Sequence, residues 1–388
     1  MHVLIVTSCY KRDSVPHSGS FVRNQAEALV ARGHKVSVLF EHWMMPREIL
    51  PKFFSKRIFK AVCCKCENGV NVIEVHSWYG FPYLSRFLIR HRIQQVVKAF
   101  NAYVKEHGVP DILHAHFDSL GGLICMKLKE LHGIPFGITE HSSLYIRGGV
   151  PRNELMLNRC WREASFKIAV SDYLAAALIS RYALKSIEVI GNLLNPIFLR
   201  PLCGITKINR DEVVFCTVCN LIKLKCVHNI LFAMVSVVKV LRQSRLIIVG
   251  DGPERSCLEK EVKQLGLEGA VRFVGQKKSL DICDTLDISD VFVLASQHET
   301  FGVVCIEAMA RGLPVVATKC GGPNELINEL NGELVECNDV EALAKGMISV
   351  AQRKIEFYSA VIRQSVENKY SSEAICASLE KLYKRAAL

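Results

Sequence analysis

Short runs of β-branched and aliphatic residues alternate with amphipathic helical stretches from one end of this chain to the other, and few folds accommodate that alternation. In the first half the runs are HVLIVTS, KVSVLF, VNVIEV, DILHAH, PFGITEH, FKIAVS and IEVIG. Helical segments fill the gaps, among them FVRNQAEALVARG, closed by Gly33 in the manner of a left-handed cap. At 192–201 the text NLLNPIFLRP breaks the periodicity with two prolines and turn-forming asparagines, which places a domain junction there. A second series follows: VVFCTVCNL, RLIIVGDG, VRFVGQ, DVFVLAS, PVVAT and GELVE. The same α/β architecture is therefore expected twice, over residues 1–195 and 196–388, with a long lysine-tipped final helix from 356 to 388 packed outside the second sheet. At 388 residues and 50% hydrophobic, the chain can fill two cores of roughly 200 residues each. Doubly wound sheets bind ligands outside the carboxyl ends of their strands, so function is to be sought in the loops that follow the strands.

Composition narrows the classes of function. No stretch approaches the roughly 20 uninterrupted apolar residues of a bilayer-spanning helix, and MHVLIVTSCYKRD reads as a strand instead of a signal peptide. Sixteen cysteines without regular spacing fit a reducing, cytoplasmic compartment and buried thiols. Cys63, Cys64 and Cys66 have no histidine at metal-ligand spacing, and Cys216 and Cys219, three apart on a strand, point to opposite faces. Residues 1–195 carry 25 Lys+Arg against 15 Asp+Glu, whereas 196–388 carry 24 against 23. Within 51–105, Lys52, Lys56, Arg57, Lys60, Lys65, Arg86, Arg90, Arg92, Lys98 and Lys105 interleave with aromatic and aliphatic residues. That pattern suits an anionic membrane surface or a phosphorylated, lipid-linked acceptor, the bland alternative being a solvated basic face. No nucleic-acid-binding motif lies behind the charge, so no nucleic-acid partner is expected.

The segment richest in chemistry is 290–322, DVFVLASQHETFGVVCIEAMARGLPVVATKCGG. A strand ends near Ser296, a polar loop follows, and an apolar helix begins around Gly302 to Val304. The free N–H groups and positive dipole end of such a helix suit a diphosphate. Glu307 is a carboxylate on an otherwise apolar helix; ribose hydroxyls would supply it with donors, and a structural salt bridge is the alternative. His141 in GITEHSS follows a strand, and His114 and His116 in DILHAHFD share a strand face, where both have the simpler reading of hydrogen bonds to nearby backbone. Asp251 and Gly252 in VGDGPER read as a turn with an Asx cap. Asp284 and Asp287 are explained by a helix N-cap more simply than by a metal.

Glu299 and Glu307, separated by seven residues and running into EAMARGLPVVAT and the Gly321–Gly322 pair, resemble the E-x7-E region of retaining glycosyltransferase family 4. SGSFVRNQAEALVARGHKVSVL, DILHAHFD, IPFGITEHS, FKIAVSDYL, IEVIGNLLNPIF, the N-L-x-x-x-K of Asn220 to Lys225, LIIVGDGPER and VRFVGQ follow in that family's order over essentially the whole chain. The resemblance implies a GT-B fold, two facing Rossmann-like domains with a nucleotide-sugar cleft, the first on the acceptor side and the second binding the nucleotide sugar. It implies that Glu307 holds the ribose, that Glu299 approaches the donor sugar, and that the backbone of Phe301, Gly302 and Val303 meets the diphosphate. Lys225 would neutralise the leaving group. Asn220 stands where many relatives carry arginine and retains only an amide donor, with Lys223 nearby. His141 matches a histidine at the reacting sugar, and Gly19 a glycine-bearing loop near the phosphates, here followed by Ser20 in place of a second glycine.

The activity so implied is transfer of a sugar from a nucleoside diphosphate to a hydroxyl of a glycan or lipid-linked acceptor such as capsule or lipopolysaccharide. It proceeds with retention, without metal or other cofactor, in the cytoplasm or at the inner face of the plasma membrane. A Rossmann oxidoreductase would need a Gly-x-Gly-x-x-Gly turn that LIVTSCYKRDSVPHSG lacks. A sugar-nucleotide epimerase of the same fold would not need a basic, amphipathic face, and a binding or scaffold protein of a polysaccharide assembly complex has no reason to keep Glu299, Glu307, Lys225 and His141 together.

Overall fold

Every run read as a strand forms one in the computed structural model, which describes residues 1–11, 18–43, 62–77, 85–202, 212–353 and 356–388. The basic residues Lys52, Lys56, Arg57 and Lys60 fall outside the described residues, as do the side chain of Arg86 and residues 78–84.

The first unit comprises Met1–Val170, Ala175–Leu193 and Ile375–Leu388. Its sheet contains β1 (His2–Thr7), β2 (Lys35–Trp43), β3 (Val62–Glu67), β4 (Val70–Ser77), β5 (Ile112–His116), β6 (Phe136–Glu140), β7 (Phe166–Ala169) and β8 (Glu188–Val189), in the order β3-β4-β2-β1-β5-β6-β7-β8. All neighbours are parallel except β3 and β4. Every residue of β5 and β6 is buried, as parallel strands covered by helices on both faces must be.

The second unit, Ser171–Leu174 with Leu194–Ala374, carries β9 (Val213–Val218), β10 (Ser244–Val249), β11 (Val271–Gly275), β12 (Val291–Leu294), β13 (Val315–Thr318) and β14 (Gly332–Val335), all parallel in the order β11-β10-β9-β12-β13-β14. The order reverses beside the first strand of each series, and the loops leaving β1 and β5, and β9 and β12, open at those switch points.

The structure corrects the sequence reading in four places. Strand β3, sequence VCCKCE, was not expected: it lacks β-branched residues beyond Val62, yet Asn68 (φ 50°) and Gly69 (φ 81°) turn it back antiparallel on β4. The final helix is two helices, Ser359–Tyr370 and Ser372–Ala387, because Ser371 is extended and its hydroxyl accepts from the Ala374 N–H at 3.3 Å. The second of them packs in the first unit, where Glu380 pairs with Arg32 at 2.6 Å and His34 at 3.1 Å. The junction lies between Leu193 and Leu194 instead of at 195, and Ser171–Leu174 belongs with the second unit.

The fourth correction concerns Asp284 and Asp287, which cap nothing: they close the helix Ser279–Asp287 and bind Arg200. Asp287 also receives Arg311 through two hydrogen bonds of 2.6 and 2.9 Å. The wholly buried guanidinium of Arg311 donates further to the carbonyls of Phe198, Arg200 and Pro201, clamping the segment after the junction onto the second unit. Arg311→Met leaves Asp287 buried without its main cation and should destabilise the protein by roughly 3–5 kcal/mol. Urea unfolding of the purified variant reads this as a lower midpoint.

Candidate functional site

In the second unit the loops after β9 and β12 meet through one ion pair. The turn Lys223–Lys225 follows β9, and the Gln297 N–H donates to the Leu224 carbonyl at 2.9 Å, which draws the β12 loop alongside. Lys225 Nζ then donates to Glu299 Oε1, which also accepts from the Ser296 hydroxyl at 2.8 Å. Burial acts to lower the Lys225 pKa, but the charge and hydrogen bond of Glu299 outweigh it and the net shift is upward, so the ammonium persists well above neutral pH. The Glu299 backbone bridges to Gly321, accepting the Gly322 N–H at 2.9 Å while its own N–H donates to Cys320.

The helix Val303–Ala310 begins directly beyond. Its first residue is preceded by Gly302 at φ 97°, a left-handed conformation, and no side chain caps the helix start. Among the described residues the N–H groups of Phe301, Gly302 and Val303 have no partner, and the Phe301 ring is buried edge-on against Tyr370, 5.2 Å between centroids. One turn further in, Glu307 is half-buried. No cation or hydrogen-bond donor among the described residues engages it, and burial pushes its carboxyl up to about 8. The salt-bridge alternative for Glu307 therefore finds no partner among these residues. Asn220 is exposed ahead of Lys225, and Asp251 sits in the expected turn, accepting from the Gly252 N–H at 2.8 Å.

In the first unit Gly19 starts the helix Ser20–Ala31 at φ 63°, with the Cys9 carbonyl oxygen 2.2 Å from where a Cβ would stand, so only glycine fits. Phe21, two residues on, lies 4.4 Å from the His141 ring, and His141 stacks on His116 at 5.1 Å with 15° between planes. His114 and His116 share a face as expected, but both are wholly buried and bond to side chains instead of backbone: His114 to Thr139 and Tyr383, and His116 to His141. Burial lowers the pKa of all three, His116 to about 3, so each imidazole is neutral at pH 7.

A cavity of about 1180 Å³ opens in this unit at the ends of β1, β5 and β6, bordered by Ser8, Phe117, Ser142, Tyr145 and Arg152. At its floor Asp118 accepts from the Tyr145 hydroxyl and from Trp161 Nε1 (2.9 Å), and Glu140 accepts the N–H groups of Asp118, His141 and Ser142. Burial raises both carboxyls, and the neighbouring Asp118 charge adds to the rise at Glu140.

Sequence spacing gave no sign of one other cluster. Because β2 pairs with β4, His42 lies beside His76, and both bond Glu74, at 2.7 and 3.2 Å. Their ligand atoms lie within 4.8 Å of one another, the one such group among the described residues that could hold a metal ion.

A model of glycosyl transferases group 1 matches residues 204–367, and a model of glycosyltransferase family 4 matches residues 18–196. N-acetyl-alpha-D-glucosaminyl L-malate synthase of Bacillus anthracis is 30% identical over 289 residues, 70% of this chain and 74% of that protein. This chain belongs to glycosyltransferase family 4. It is a glycosyltransferase. Lipopolysaccharide core biosynthesis glycosyltransferase LpsD of Rhizobium meliloti is 26% identical over 326 residues, 82% of this chain and 85% of that protein. Among solved structures, HepE of Anabaena in complex with UDP aligns with a TM-score of 0.73 at 19% identity, covering 99% of this chain and 100% of that one, which establishes the GT-B fold. Among the described residues no helix is long and apolar enough to cross a membrane, and every cysteine is free.

The raised pKa of Glu307 has a sign that stability measurements read. In the unfolded chain the carboxyl ionises near 4.5, in the fold near 8, so its stabilisation is complete below pH 4.5 and is lost as pH rises to 8. Glu307→Gln removes the ionisation, and the variant should gain melting temperature relative to the parent between pH 5 and 8, with the difference levelling off above.

Proposed function

We propose that this glycosyltransferase moves a sugar from a nucleoside diphosphate to a hydroxyl of a glycan or lipid-linked acceptor, retaining the anomeric configuration and using no divalent metal. The observation that carries the reading is the half-buried Glu307, without a partner among the described residues, one turn inside a helix whose leading N–H groups are likewise open among those residues and whose neighbouring loop holds the Lys225 ammonium. A nucleoside diphosphate matches that set. Ribose hydroxyls donate to Glu307, the phosphate oxygens accept from Phe301, Gly302 and Val303, and Lys225 balances the charge that develops on the leaving phosphate. Asn220, in place of an arginine, still offers an amide to a phosphate oxygen.

Glu299 is the natural contact for donor-sugar hydroxyls, since one of its oxygens already engages Lys225 and Ser296 while the carboxylate has acceptor capacity to spare. His141 and the Gly19 turn serve the sugar and phosphates from the first unit, whose cavity at the ends of β1, β5 and β6 receives the acceptor. The departing phosphate oxygen takes the acceptor proton, so no protein nucleophile or dedicated base is assigned. UDP in the HepE complex and the lipopolysaccharide core named for LpsD support this class of donor and acceptor. Cytoplasmic action at an anionic membrane face follows from the acceptor and from the basic first half.

Glu307→Ala should weaken binding of nucleoside diphosphate by about 10- to 100-fold, the scale of hydrogen bonds to a charged group, with the fold intact by circular dichroism. Titration calorimetry against UDP, GDP and ADP finds the nucleotide and measures that loss; unchanged affinity would remove the ribose role. Lys225→Ala should lower kcat by roughly 100-fold or more. Turnover should be unaffected by EDTA.

A further inference from the structure

Three histidines converge beneath the Gly19 helix, and one glutamine decides which of their nitrogens carry hydrogen. Gln25, buried on the helix Ser20–Ala31, sets its amide nitrogen 3.2 Å from His116 Nε2 and 3.4 Å from His114 Nδ1. An amide nitrogen only donates, so His116 Nε2 accepts, and His114 Nδ1, whose one lone pair also faces the Tyr383 hydroxyl, carries no hydrogen. A neutral imidazole holds a single N–H, which leaves His114 to donate from Nε2 to the Thr139 hydroxyl at 2.7 Å, while the Tyr383 hydroxyl donates to its Nδ1 at 2.7 Å. By the same count His116 donates from Nδ1 to His141 Nε2 at 2.9 Å. His141 Nε2 is thereby an acceptor, and its own hydrogen stands on Nδ1. That atom is buried, and the Asn192 side chain lies close enough to act on its protonation although outside hydrogen-bonding geometry.

We propose that Gln25 and His116 are positioning residues that fix His141 as the Nδ1–H tautomer, a neutral donor presented to a hydroxyl or phosphoryl oxygen of the substrate. The proposal rests on the reading of His141 as a substrate contact. It specifies that contact as donation, which excludes His141 Nδ1 as a base. Packing supports the fixed geometry: Phe21, Phe117 and His116 all lie against the His141 ring, at 4.4, 5.2 and 5.1 Å between centroids.

The test is the long-range proton–nitrogen spectrum of the full chain labelled with 15N-histidine, with the His141 signals identified by their loss in His141→Gln. The expected result is the Nδ1–H pattern for His141 at pH 7 and an averaged pattern of both tautomers in Gln25→Met. An Nε2–H pattern in the parent would overturn the proposal, since it means that Gln25 presents its oxygen and the whole chain runs in reverse. An unchanged pattern in a folded Gln25→Met would overturn it as well. Should Gln25→Met not fold, the parent spectrum alone decides. With the tautomer lost, kcat should fall on the order of tenfold, one neutral hydrogen bond's worth. A lost tautomer with unchanged kcat would count against the substrate contact at His141 and leave the relay standing.

Discussion

The ion pair of Lys225 with Glu299 is the contact on which the arrangement of the second unit's candidate site depends. It joins two loops that leave neighbouring strands, and it keeps a partly buried ammonium charged where an isolated one would tend to lose its proton. Ser296 on the same carboxylate oxygen and the Glu299–Gly321 bridge hold the pair from behind. A cation held in this way needs little reorganisation when negative charge arrives, which is the condition under which a fixed dipole or charge lowers a barrier most. The same loop then leads into an uncapped helix, so the charged side chain and the open N–H groups are products of one short stretch of sequence.

Glu307 and the histidine group show opposite solutions to the cost of burying polar atoms. Glu307 meets no partner among the described residues and responds with a raised pKa, a shift that a ligand bearing hydroxyl donors would oppose. His114 and His116 are satisfied by His141, Gln25, Thr139 and Tyr383, and their burial keeps them neutral. Polar groups in the second arrangement specify geometry; the first arrangement stores an unmet demand, which is what a binding position requires.

Much of this was legible in the sequence because it is local. Parallel strands buried on both faces announce themselves as aliphatic runs, and the E-x7-E stretch compresses Glu299, the helix start and Glu307 into a few residues. Strand β3 escaped notice because VCCKCE has the composition of a surface loop and owes its place to the Asn68–Gly69 turn. The break at Ser371 hid within a continuous helical pattern. The histidine network was out of reach for a different reason: Gln25 stands 91 positions from His116, and His114 stands 269 from Tyr383, so only the folded chain brings them into register. The His42–Glu74–His76 group is likewise created by strand pairing and not by spacing.

The return of residues 375–388 to the first unit gives the molecule an order of assembly that differs from the order of synthesis. Most of the first sheet is made before the second unit exists, yet His114 waits for the hydroxyl of Tyr383, and Arg32 and His34 for Glu380, until the ribosome has passed the whole second unit. The earlier-made half therefore reaches its final hydrogen-bonding only after the later-made half has emerged. Completion of one Rossmann unit becomes a report that the other has been translated through.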